Sequence, residues 1–116
     1  MTTTGLLIDV KNGEVSIKKA ESYKDYYKLV GCSTFDIAMR KIGGEVFALV
    51  VDDEGLLKKN PQVSAIFKTG ELGLVGNIFI LKAEGEDLVG LTNHEMQVVL
   101  DNVDMIKGKP LLWLEV

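Results

Sequence analysis

Two alternating apolar runs meeting across Asn12-Gly13 constrain this chain more than any other feature. Leu6, Ile8 and Val10 alternate with residues of the opposite face, and Val15 and Ile17 resume the pattern after the dipeptide. Alternation places every second side chain on one side of a strand. Asn-Gly tolerates the positive φ that both central positions of a type I′ turn require. A β-hairpin over roughly residues 5–19 is therefore predicted.

Further strands follow. Phe35, Ile37 and Met39 alternate with Asp36, Ala38 and Arg40, which predicts a strand with one wet face. Gly43-Gly44 then turns the chain into Glu45 to Asp52, where Phe47 to Val51 is apolar on both faces and reads as a central strand. Asp53-Glu54-Gly55 closes it, and Leu56-Leu57 is expected to begin a brief returning strand. Pro61 pushes Asn60 away from helical angles, and Gln62 to Phe67 is expected to make a short helical turn. Lys68 to Gly73 reads as an exposed loop, Asn77 to Ala83 as a strand, and Asp87 to Leu91 as a shorter one.

Two helices are predicted. Ser22 can cap a short one near residues 22–30, with Gly31 ending it in a left-handed conformation. Thr92-Asn93-His94-Glu95 has the form of a capping box, and Met96, Val99, Leu100, Val103 and Ile106 recur at helical spacing. They predict one long C-terminal helix over about 92–106, stopped by Gly108 and Pro110, with the apolar tail from Leu111 as a last strand. The expected fold is α+β, an antiparallel or mixed sheet of about six or seven strands, in a single domain over 1–116.

Composition narrows the function. The apolar runs are strand-sized and far short of the ~20 residues that span a bilayer. The N-terminus shows no basic and apolar leader, so a cytoplasmic protein is expected. Cys32 is the one cysteine and His94 the one histidine, too few for a conventional zinc site. No metal and no cofactor is predicted. A net charge of −4 disfavours general nucleic-acid binding, although a local group of basic residues can still hold a small anion.

Candidate chemistry is sparse. Gly70, Gly73 and Gly76 lack the ending of a P-loop and read as loop glycines. Asp52, Asp53 and Glu54 read as a solvated hairpin tip, and Asp101 and Asp104 as the wet face of the long helix. His94 has no nucleophile motif nearby, so no catalytic residue is assigned and no enzyme is expected. The feature closest to a site is Tyr23, Tyr26 and Tyr27 with Lys24 and Lys28, joined by Arg40. Aromatic faces beside cations can stack a base and neutralise a phosphate. The alternative is that two of the tyrosines simply pack on the sheet.

Several short motifs carry a resemblance. Leu29-Val30-Gly31 would end a helix, Asp53-Glu54-Gly55 would close a strand, and Asn60-Pro61 follows. Gly76 to Leu81, then Gly85-Glu86-Asp87 and Leu91-Thr92, complete the pattern. Over roughly residues 28–100 the chain resembles an uncharacterised domain-of-unknown-function family common in phages and conjugative elements of Gram-positive bacteria. Gly73 to Gly76 departs from that pattern, and the strand around Trp113 is outside it.

The resemblance implies no enzyme activity and a mobile-element setting. The function expected is that of a phage or mobile-element accessory binding protein, an anti-defence protein that sequesters a nucleotide-derived signal. It would act in the host cytoplasm, as a homo-oligomer. The alternative is a protein-interaction module that masks the surface of a host defence protein, and a cryptic hydrolase built on His94 ranks third.

Overall fold

A computed structural model describes residues 2–116. The chain forms β1 (Thr3–Asp9), β2 (Glu14–Ala20), α1 (Lys24–Val30), β3 (Phe35–Ile42), β4 (Glu45–Asp52), β5 (Val63–Phe67) and β6 (Leu72–Val75). It continues with β7 (Ile78–Glu84), β8 (Asp87–Val89), α2 (Asn93–Leu100), β9 (Val103–Ile106) and β10 (Lys109–Leu114). The strands make two sheets, one ordered β2-β1-β7-β4-β3 with β8 beside β7, the other β6-β5-β10-β9. Among the described residues only β5 with β10 is parallel. The expected α+β layout is thus corrected: the fold is mostly β, in two sheets, with two short helices.

The helix expected over 92–106 ends at Leu100. Its capping box is present, with Glu95 N–H donating to the Thr92 hydroxyl at 3.1 Å and Thr92 N–H to the Glu95 carboxylate at 2.8 Å. Beyond it, Val103 and Ile106 belong to a hairpin whose two-residue loop, Lys107-Gly108, has φ of 51° and 78°. Positive φ at both positions is the type I′ condition. Gly108 therefore serves a hairpin turn, and the two β-branched residues that extended the helical stripe fit a strand equally well. Asp104, expected on a wet helix face, accepts a hydrogen bond from the Trp113 indole at 2.7 Å.

Smaller departures have similar causes. The opening hairpin forms, but its loop has four residues, since Asp9 pairs with Glu14. Asp9 holds that loop by accepting from the Asn12 N–H at 2.9 Å and side-chain amide at 2.8 Å, and only Gly13 takes a positive φ. Relative to a two-residue Asn-Gly turn the register moves by two, so each side chain keeps its face, with Val15 packed on the core and Ile17 61% exposed. Leu56-Leu57 lies in a 3₁₀ turn over Gly55–Leu57, and the helical turn expected at 62–67 is β5 instead. Parallel pairing with β10, through Leu112 and Ala65, decides that segment from a distance. Residues 72–73 belong to β6 rather than to a loop.

One core lies between the sheets. Leu6, Ile8, Phe47, Leu49, Ile78 and Ile80 of the larger sheet pack on Ala65, Leu112 and Leu114 of the smaller one and on Met96 and Val99 of α2. Gly43-Gly44 makes the expected two-residue turn against α2, where a side chain on Gly43 would lie 2.7 Å from Val98 Cγ1. The outer face of the larger sheet receives α1, with Tyr26 and Val30 packed on Leu7, Val50, Phe79 and Leu81. The wet face of β3 is the reverse of the expected one. Ile37 and Met39 are 38% and 46% exposed, whereas Ile42 is buried and Ala38 packs on the inter-sheet core. Among the described residues no helix is long and apolar enough to cross a membrane.

Candidate functional site

The six residues of the tyrosine-and-lysine group do not converge. Tyr26 is buried, its ring edge-on to Phe35 at 5.3 Å and tilted on Phe79 at 5.9 Å. Burial pushes its phenol pKa up, and its contact with the Thr3 hydroxyl only partly opposes this. Tyr27 leans on Phe35 at 5.0 Å, whereas Tyr23, Lys24 and Lys28 are exposed. Arg40 shares strand parity with Ala38 and Ile42, so it faces the inter-sheet side of β3 while α1 covers the other side. Its guanidinium donates to the Met39 carbonyl at 2.9 Å, and its buried Nε has no partner among the described residues.

A different group of residues does converge. The β1–β2 loop, the end of α1, the end of β4, the 55–62 loop and the β6–β7 turn meet around a cleft of about 250 Å³. Lys11, Lys58 and Lys59 line it, with the amides of Asn60, Gln62 and Asn77 and the carboxylate of Asp52. Lys58 Nζ is 2.7 Å from Asp52 and 3.4 Å from the Gly31 carbonyl, which ties the loop to the end of α1. The hydrogen bond to Asp52 raises the Lys58 pKa, so this ammonium stays charged. The Asp52 side chain is 7% exposed and also accepts from Glu54 N–H at 2.9 Å, so of the expected solvated tip only Asp53 and Glu54 are exposed.

The walls are built from turns. Gly31 ends α1 at φ 76°, and its N–H and that of Cys32 both donate to the Tyr27 carbonyl, at 2.8 and 3.0 Å. Asn60 adopts φ 57°, a left-handed value that costs a non-glycine residue roughly 1 kcal/mol. Asn60 is outside the right-handed helix, as expected before Pro61, but its left-handed φ is not the extended conformation that a following proline favours. Gly76 N–H donates to the Gln62 carbonyl at 2.8 Å, and Lys11 N–H reaches the Asn77 side chain at 3.4 Å. Burial first, and then the Asp52 charge, push the neighbouring Cys32 thiol up, which keeps it protonated and a poor nucleophile.

Val30-Gly31, Gly55, Asn60-Pro61 and Gly76-Asn77, singled out in sequence as separate turn motifs, all line this one cleft. Lys11, Lys59 and Gln62 were not anticipated. They lie on two segments, the β1–β2 loop and the 55–62 loop, whose proximity follows from strand order, and no local spacing marks them.

The remaining candidates are surface features. His94 is 3.3 Å from Glu45 at the start of α2, with its side chain 78% exposed. Lys82 lies between Glu45 at 3.5 Å and Glu95 at 3.8 Å, its ammonium 4.4 Å above the Phe47 ring. Among the described residues no group of three or more histidine, cysteine, aspartate or glutamate side chains is placed to hold a metal ion.

Comparison with curated proteins and with solved structures finds no match to either. A family model does match, over residues 1–104, and it ends before β10. The chain belongs to the family described as a domain of unknown function, DUF3846.

Proposed function

We propose that this protein captures a small phosphate-bearing ligand, of the nucleotide-derived kind, in the cleft at the loop end of the sheets. The observation that carries the reading is three lysines facing one paired carboxylate in a protein of net charge −4. A local excess of cations attracts an anion whatever the global charge. The volume sets the scale of the ligand. Pockets for drug-sized molecules run from about 300 to 1,000 Å³, so a cleft of about 250 Å³ suits a phosphate and its sugar, with the base at the mouth. Capture fits these groups better than conversion, since the nearest thiol is held protonated.

The setting is a further part of the proposal: a phage or mobile-element accessory protein, acting in the host cytoplasm against a defence signal. The short motifs shared with that kind of family support it. Calorimetry with orthophosphate, mononucleotides and cyclic nucleotides tests the binding. Saturable, salt-sensitive heat with at least one phosphate-bearing compound is expected. Silence across the panel at millimolar concentration, with a host defence protein retained on the immobilised chain, would replace ligand capture by the masking of a protein surface. That second reading draws on Leu56, Leu57 and Leu72, which are 66%, 81% and 51% exposed and line a neighbouring cleft that shares Asp52 and Gly55 with this one.

A further inference from the structure

A second cleft, of about 640 Å³, opens on the outer face of the larger sheet between α1, β3 and the β7–β8 hairpin. Tyr23, Phe35, Ile37 and Leu88 supply its apolar wall. Glu21, Glu86 and Asp87 stand at its rim, and among the described residues no lysine or arginine lines it. Lys24 and Lys28, which made the tyrosines look like a nucleotide site, do not line this cleft. Tyr23 is 58% exposed and Ile37 38%, and Met39, 46% exposed, extends the apolar strip along β3 on the same face.

The edge of β3 is partly closed to an added strand. Ile37 N–H donates to the Asp36 carboxylate at 2.9 Å, and the Met39 carbonyl accepts from Arg40 at 2.9 Å. Side chains thus occupy backbone groups that strand addition would need, a common way of blunting an edge. What remains open to a partner is the cleft itself, apolar inside and anionic at the rim.

We propose that this cleft docks a short basic segment of a partner protein, with lysine or arginine side chains interspersed among apolar ones. Charge complementarity selects that occupant. Three carboxylates without a lining cation, on a protein of net charge −4, steer cations in and repel acidic segments. The exposed Tyr23 ring offers a face for a cation, and Ile37 and Leu88 offer contacts for apolar anchors. This surface is separate from the lysine-lined cleft, and its chemistry is the opposite.

The test is an NMR titration of the isotopically labelled full chain. One probe set is octapeptides alternating Lys or Arg with Leu or Phe. The second set carries Glu in place of the basic residues, and tetramethylammonium is the third probe. Basic peptides are expected to shift the signals of Tyr23, Ile37, Asp87 and Leu88, with affinity falling as salt rises. The Glu86→Lys/Asp87→Lys variant, changed at two exposed residues, is expected to bind at least tenfold more weakly, and Glu21→Lys to act in the same direction. Equal binding of the acidic set, shifts that map elsewhere, no binding of any basic peptide, or an equal response to tetramethylammonium alone would overturn the proposal.

Discussion

Replacing Tyr26 by alanine separates a core tyrosine from a ligand-binding one. The ring is 6% exposed and lies between Phe35 and Phe79, at 5.3 and 5.9 Å. Truncating a buried aromatic to alanine costs about 3–5 kcal/mol. The lower part of that range applies here, because α1 packs on the sheet from one side only and can settle into part of the space. About 3 kcal/mol corresponds to a fall of roughly 10–15 °C in Tm for a domain of this length. Tyr26→Phe, which keeps the ring and removes the hydroxyl beside Thr3, should lose only about 0.5–1 kcal/mol. Tyr23→Ala, at a side chain 58% exposed, should stay within about 0.5 kcal/mol. Urea denaturation followed by circular dichroism measures all three. A Tyr26→Ala protein as stable as Tyr23→Ala would refute the placement of α1 and the reasoning built on it.

Three further outcomes follow from the local structure. Lys107→Asn should raise stability by about 0.5 kcal/mol, because asparagine tolerates the positive φ at Lys107; a clear loss would favour a continuous helix over the β9–β10 hairpin. Ser64 is fully buried at an irregularity in β5, and its hydroxyl has no partner among the described residues. Ser64→Ala should therefore leave denaturation unchanged or improve it by up to ~1 kcal/mol, and a loss beyond that would show a partner. At Asp9, partial burial raises the carboxyl pKa, but hydrogen bonds led by those from Asn12 outweigh it and hold the group below its ordinary 3.8. A depressed pKa contributes stability that is present above the ordinary value and lost as pH falls through the folded one. Asp9→Asn should consequently be less stable than the parent at pH 7, with the gap closing below about pH 4; a gap that widened in acid would contradict this.

Much of the fold was legible where the signal is local. Gly43-Gly44 predicts a two-residue turn because two consecutive residues free to take positive φ have few other uses between strands. Thr92 and Glu95 mark a helix start through their own side chains. Phe47 to Val51, apolar on both faces, identifies a strand covered on both sides, which β4 is. The failures begin where two periods coincide or a distant partner decides. Val103 and Ile106 satisfy a helical stripe extended from Met96, yet they pair with β10 across a glycine turn. Gln62 to Phe67 carries no strand signal strong enough to reveal its parallel partner.

The site follows the same rule. Arg40 is two residues from Ala38 in sequence and on the far side of the sheet from the tyrosines, a matter of strand parity and packing that composition cannot supply. The lysine-lined cleft joins Lys11 to Lys59 and Asn77, and only the order β1-β7-β4 brings those loops to one end.

The measurement that bears most directly on ligand capture is one calorimetric titration run on the parent chain, Lys59→Glu and Lys24→Glu. Lys59 lines the cleft and makes no ion pair among the described residues, so reversing its charge should spare the loop that Lys58 and Asp52 tie down. Two unit charges about 4 Å apart near a protein surface interact by up to ~4 kcal/mol, so a tenfold loss, about 1.4 kcal/mol, is a conservative expectation for Lys59→Glu. Lys24 is exposed on α1 outside the cleft, and Lys24→Glu should bind within about twofold of the parent. Binding lost with Lys24→Glu and kept with Lys59→Glu would return the ligand to the tyrosine helix and contradict the site proposed.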